Sequence, residues 1–273
     1  VPFADNEESV ESGAPVELYL FSYSGGSFRY TSADADIDFQ SATYTQTALS
    51  RSQVDDSSDV LKSSMNITVP EDFVVSRLFE VAPPSDVVTV TIYRMHTTNP
   101  GDYATIWIGR VLNAVWSVGS SVLSCESVFT RMRTPGLRRI FSRNCPHLLY
   151  GPACRAQETL FQEVAVLNGL ESAGFDVTSP TFDAQPDGYF AGGKLSFESS
   201  PGVVERRGIR DHVGDTITMT HPIASLLATS VVTVAPGCAR TRDVCVATFN
   251  NVVNFGGFPF IPPRNPFGGG SVF

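Results

Sequence analysis

Basic charge is in short supply: 19 Lys and Arg stand against 28 Asp and Glu, a net charge of −9. So acidic a chain does not grip nucleic acid through a generally basic surface, and no specific nucleic-acid partner is expected. Long apolar runs are missing as well. None approaches the ~20 residues of a membrane-spanning helix, and the opening Val1-Pro2-Phe3-Ala4-Asp5 has neither the basic region nor the apolar core of a signal peptide. These absences predict a chain made in a cytoplasm, with no direct membrane segment. Five cysteines are too few for a disulfide scaffold in 273 residues, and in a reducing compartment spaced cysteines read as metal ligands. Catalytic signatures are lacking too. His96, His147, His212 and His221 form no His-Glu-x-x-His and no Ser-centred elbow, and neither Gly25-Gly26 nor Gly192-Gly193 opens a helix as a dinucleotide loop does. No enzyme is expected.

What is present is apolar patterning at period two. With 42% hydrophobic and 17% charged residues, the chain can bury a substantial core. Hairpins are predicted for Val16–Phe21 with Phe28–Thr31, and for Ile37–Phe39 with Ala42–Tyr44 around Gln40-Ser41. Strands follow at 63–69, 87–95 and 105–118, with a turn at Thr98–Asp102. One helix is predicted after Pro70, carrying Phe73, Val74, Leu78 and Phe79 on its apolar side, and Pro83-Pro84 ends it. The first dozen residues, with Glu7, Glu8 and Glu11, read as a solvated, mobile end. Trp107 and Trp116 sit among apolar strand neighbours and read as core, and so does the lone Cys125.

The fold class expected is therefore mainly β. A β-rich domain over 1–134 precedes a second domain over 135–273, the boundary falling at Thr134-Pro135-Gly136. In the second domain an irregular four-cysteine part (segments 140–158 and 236–250) holds an inserted small β unit over 159–235. A Gly-, Pro- and Phe-rich arm follows over 251–273, in which Phe255, Phe258, Phe260 and Phe267 are candidate partner-binding residues.

The four remaining cysteines carry the chemistry. Cys145 and Cys154 form one pair, Cys238 and Cys245 the other, with eight and six residues between the members. Soft thiolates in a set of four select zinc or an iron–sulfur cluster. Zinc knuckles usually space their pairs two to four residues apart, so these open loops suit a larger object; spacing alone leaves cluster, zinc and neither open. From Ser127 to Gln157 there is no Asp or Glu, and six arginines fall there. Arg143, Arg155, Arg240 and Arg242 stand next to the cysteines, where they can balance the negative charge of a thiolate centre.

The block Cys145-Pro146-His147-Leu148-Leu149-Tyr150-Gly151-Pro152-Ala153-Cys154, with Gly237-Cys238 to Cys245 and Phe249-Asn250-Asn251-Val252-Val253-Asn254-Phe255-Gly256-Gly257-Phe258-Pro259-Phe260-Ile261-Pro262, resembles siphophage-type tail-tip hub proteins, including those of gene transfer agents. Glu17-Leu18-Tyr19, Phe28-Arg29-Tyr30-Thr31, Tyr44, Arg51-Ser52 and Thr91-Ile92-Tyr93-Arg94 extend the resemblance over nearly the whole chain. It implies a homotrimeric ring at the tail tip of a virion, assembled in the bacterial host cytoplasm. The ring would lie between the distal tail protein or tail tube ring and the central spike or fibre-bearing protein. It also implies a [4Fe–4S] cluster on Cys145, Cys154, Cys238 and Cys245. The alternatives are an iron–sulfur electron-transfer protein and a zinc-stapled β interaction module.

Overall fold

A computed structural model of the chain describes residues 3–9, 13–54, 64–133, 136 and 141–262. It is mainly β and divides into two compact units, residues 1–135 with 200–205 and residues 136–199 with 206–273. Among the described residues no helix is long and apolar enough to cross a membrane.

The first unit is built on β1 (Pro15–Tyr23), β2 (Gly26–Thr31), β3 (Ile37–Phe39), β4 (Ala42–Gln46), β5 (Ser50–Arg51), β6 (Ser64–Pro70), β7 (Thr89–His96), β8 (Asn99–Ser117) and β9 (Ser120–Ser127). They form one sheet in the order β3-β4-β2-β1-β7-β8-β9-β6-β5. β4 lies near one end of that order and β5 at the other, yet only Thr47 to Leu49 separate them in the chain, so the sheet curls round and is joined through three residues.

Alternation along β1 shows what the curl encloses. Tyr19 and Phe21 face a core shared with Ile67, Val90, Ile92 and Leu123, while Leu18 points the other way, to a smaller cluster with Phe39, Tyr44 and Met95 under the β3–β4 hairpin. Burying a side chain such as Phe21 or Ile92, both fully enclosed, contributes about 1.5–3 kcal/mol. Cys125 belongs to the larger core, and burial pushes its thiol up to about 12, which keeps it a small inert hydrophobe.

The closing strand also brings a charge. Arg51 on β5 reaches Glu17 on β1 through two bonds, Nε to Oε2 at 2.9 Å and Nη2 to Oε1 at 2.6 Å. Tyr19 donates its hydroxyl to the same carboxylate at 2.7 Å. Burial, then the Glu17 carboxylate, holds the Tyr19 hydroxyl well above its ordinary range, so it stays a donor.

Both predicted hairpins form, and the second turns on Gln40 and Ser41 at φ 50° and 61°. Both residues sit in the left-handed region where Asn and Gly are at ease. Replacing Gln40-Ser41 by Asn-Gly is therefore expected to stabilise the chain by about 0.5–1 kcal/mol, read as a rise in the urea midpoint at unchanged slope.

Four expectations need correction. The N-terminal end is not simply solvated: Phe3–Glu8 form helix α1, with Asn6 buried and Phe3 edge-on to the His96 ring at 5.5 Å. His96 explains this, since its Nδ1 accepts from Ala14 N–H and its Nε2 donates to Glu7 at 3.1 Å. The turn expected at Thr98–Asp102 is only Thr97-Thr98, and Asn99 already pairs with His96. The helix after Pro70, α2 (Val74–Arg77), is a single turn. Its N-cap residue Phe73 offers no side-chain acceptor and two of its residues are β-branched; Phe73 and Phe79 are buried as foreseen, but Val74, expected on the apolar side, is 48% exposed and Val75 is buried instead. Trp116 is 36% exposed, whereas Trp107 is buried.

The second sheet, in the second unit except for residues 200–205, is built on β10 (Glu163–Val166), β11 (Gly169–Glu171), β12 (Asp176–Thr178), β13 (Lys194–Ser200), β14 (Val203–Val213), β15 (Thr216–Met219) and β16 (Val231–Ala235), ordered β10-β16-β13-β14-β15-β12-β11. Here too the two end strands are consecutive in sequence. Leu167 and Asn168 between them donate to Ser230 and Thr178 respectively, so the chain itself closes the sheet. Val177, Phe182, Phe190, Leu195, Ile217 and Val234 fill its centre. Gly192-Gly193 is a tight bend before β13, with Gly192 at φ 73°. After β16 a helix that was not foreseen, α3 (Arg242–Ala247), starts on Thr241, whose hydroxyl accepts from Val244 N–H.

Candidate metal centre

Three segments of the second unit converge. Cys145 N–H donates to Arg240 carbonyl at 2.8 Å, Tyr150 hydroxyl to Pro236 carbonyl at 3.0 Å, and Phe258 N–H to Ser142 carbonyl at 2.8 Å. The loop bearing Cys145 and Cys154 is thereby laid against the stretch after β16 and against the chain beyond α3. Close backbone contact is needed for this. A Cβ on Gly237 would overlap the Ala191 carbonyl, and one on Gly193 the Ala235 carbonyl, which accounts for both the Gly192-Gly193 bend and the glycine before Cys238.

The convergence places Cys145, Cys154, Cys238 and Cys245 around one cavity of about 150 Å³, with His147 and Asn251 also in its wall. All four thiols are free, and Cys245, on α3, is buried. Burial first, then the neighbouring Cys238, Cys145 and Cys154, pushes the Cys245 thiol up, as expected where sulfurs share one space.

Hydrogen-bond donors face three of the sulfurs. Arg240 N–H points to Cys238 Sγ at 3.3 Å, Gly256 N–H to Cys145 Sγ at 3.4 Å, and the Asn251 side-chain amide to Cys154 Sγ at 3.7 Å. Donors aimed at sulfur favour the thiolate, the form that binds metal. The donor set therefore fits a thiolate-held group.

The arginines divide. Arg240, held at φ 61°, lines the cavity, while Arg143, Arg155 and Arg242 are solvent-exposed and outside its wall. Arg143 Nε donates to Pro259 carbonyl at 3.3 Å, which ties the loop to the arm. Of the arm's aromatics, Phe255 lines the cavity, Phe258 is 40% exposed and packs at a tilt against Phe141, and Phe260 is 87% exposed. Phe267 lies outside the described residues.

Sequence reading missed Asn251, Asn254 and the role of His147. His147 Nδ1 donates to Asn254 carbonyl at 3.0 Å, and its ring fills the space a side chain at residue 256 would need. The signal was the clustered asparagines at 250, 251 and 254, directly after an aromatic and five to nine residues beyond Cys245.

Comparison with known proteins agrees with this architecture. Residues 16–157 match the family described as baseplate hub protein, N-terminal attachment domain, and residues 188–265 match that of phage conserved hypothetical protein BR0599. An uncharacterized protein of Xylella fastidiosa (strain 9a5c) is 33% identical over 98 residues, 35% of this chain and 20% of that protein, so the match spans a fifth of its relative. Among solved structures, a chain in the virion of a native gene transfer agent particle superposes with a TM-score of 0.77 at 16% identity, covering 98% of this chain and 97% of that one. At that identity the likeness is one of fold.

Proposed function

The chain belongs to the baseplate hub protein family through its N-terminal attachment domain, and on that premise we propose that it is a non-enzymatic component of a siphophage-type tail tip. In this reading copies of the chain form a homotrimeric ring in the virion, assembled in the host cytoplasm. The ring joins the tail tube or distal tail ring to the central spike or fibre-bearing protein. A [4Fe–4S] cluster on Cys145, Cys154, Cys238 and Cys245 braces the second unit.

The observation that carries the reading is the single cavity walled by all four free thiols. A mononuclear zinc site needs its sulfurs about 2.3 Å from one point. A cubane takes one thiolate at each of four iron corners, which suits four cysteines lining one cavity of about 150 Å³. The cluster acts as a staple: it crosslinks the loop at 141–157, the stretch after β16 that carries Cys238, and α3 with Cys245, none of which has strand pairing. Exposed Phe258 and Phe260 leave that braced surface with apolar side chains for a neighbouring tail protein.

The test is an iron and acid-labile sulfide count on anaerobically purified chain, with its visible spectrum. About four irons and four sulfides per chain are expected. One zinc would replace the cluster by a zinc staple, and a chain with neither would overturn the metal part of the proposal.

A further inference from the structure

We propose that Asn251 is the positioning residue of this centre, holding Cys154 for the bound group and tying that group to the C-terminal segment. The inference rests on the reading that the cavity holds a thiolate-bound metal group. It assigns a task to one side chain that is not a ligand.

Asn251 is half-buried in the cavity wall and bonded at each of its polar atoms. Its Nδ2 donates to Cys154 carbonyl at 2.6 Å and lies 3.7 Å from Cys154 Sγ. Its Oδ1 accepts from Asn254 Nδ2 at 2.6 Å. Its backbone N–H donates to Cys245 carbonyl at 3.0 Å. One residue thus holds two of the four cysteines, which belong to segments about ninety positions apart in the chain.

The amide orientation follows from its partners. A carbonyl only accepts, so the group facing Cys154 is the NH2; Asn254 presents an NH2, so the group facing it is the oxygen. Asn254 therefore fixes the rotamer, and its own carbonyl is held by His147 two residues from Cys145. A purely structural asparagine would be satisfied by the Cys154 carbonyl alone. Here the same NH2 also faces the sulfur, where a hydrogen bond lowers the charge a thiolate presents to metal and tunes its potential.

Two substitutions separate these effects. Asn251→Asp keeps the shape but sets carboxylate oxygen against both a carbonyl and a thiolate, and Asn251→Ala removes the donor and leaves the carbonyl unpaired. In the full chain, purified anaerobically, both are expected to retain the metal count but release it to a chelator about tenfold faster than wild type. For an iron cluster, the midpoint potential should also move negative, a shift that simple loosening of a loop does not produce. Wild-type release rates and potential in both variants would overturn the assignment.

If the wild-type chain holds no metal, the cluster reading fails while the positioning of Cys154 stays measurable. N-ethylmaleimide should then modify Cys154 severalfold faster in Asn251→Ala than in wild type, with Cys238 unchanged, and equal rates would overturn the assignment.

Discussion

On the cluster reading, Cys154→Ser is expected to strip the chain of iron and visible absorption while leaving both β units folded. The expectation follows from where the cores lie. The strands from β10 to β16 enclose their own apolar centre, and none of Cys145, Cys154, Cys238 or Cys245 belongs to it. The loop at 141–157 and the chain after α3 have no such centre and are held by individual hydrogen bonds, each worth about 0.5–1.5 kcal/mol. A structural metal group contributes on the order of 10 kcal/mol to a site of this kind, so its loss is felt there and hardly elsewhere. Limited proteolysis should therefore open new cuts within 141–157 and 250–262 and spare β10 to β16, and tails built from the variant should lack functional tips. Cys125→Ser is the control. It should keep the metal and cost about 1–3 kcal/mol, because a hydroxyl replaces a thiol in the apolar core of the other unit. A Cys154 variant without iron that still assembled infectious tails would sink the staple role.

The strands of the first unit were legible because alternation at period two is local: the register of β1 with β2 and of β3 with β4 needs only a few residues and a turn. Closure of the sheets was not legible, since Thr47 to Leu49 and Leu167-Asn168 look like any short connection until the partner strands are known. Helix α1 was hidden for a similar reason. Glu7 and Glu8 read as solvated, and the His96 that receives Glu7 lies 89 positions away. For the site, the order of the four cysteines was plain, but chemistry alone left the metal open. The Thr241 cap that starts α3 stood in plain view, overshadowed by the cysteines on either side. Asn251 could not be ranked above Asn250 or Asn254 from sequence, because three asparagines in a short run have no periodicity that says which one faces a sulfur.

Arg51→Met is expected to destabilise the first unit by about 3 kcal/mol, a large share of the 5–15 kcal/mol typical of a whole domain. The Glu17 and Arg51 side chains are only 19% and 17% exposed, so the carboxylate left behind is poorly hydrated and, among the described residues, keeps the Tyr19 hydroxyl alone. The position sharpens the effect. β5 is two residues long and among the described residues pairs with β6 alone, so Arg51 is what links the closing strand back to β1. Glu17→Leu alone should cost a similar amount, by stranding the guanidinium. The double variant Glu17→Leu with Arg51→Met is expected to recover most of the loss, because both charges go and apolar side chains of similar size replace them. Urea unfolding of the four chains gives the coupling directly, and a positive interaction of about 2 kcal/mol or more is expected. Additive losses would mean that the pair is independent and that the seam is held by backbone pairing alone. The motifs Glu17-Leu18-Tyr19 and Arg51-Ser52, separate in sequence, would then have no shared physical task.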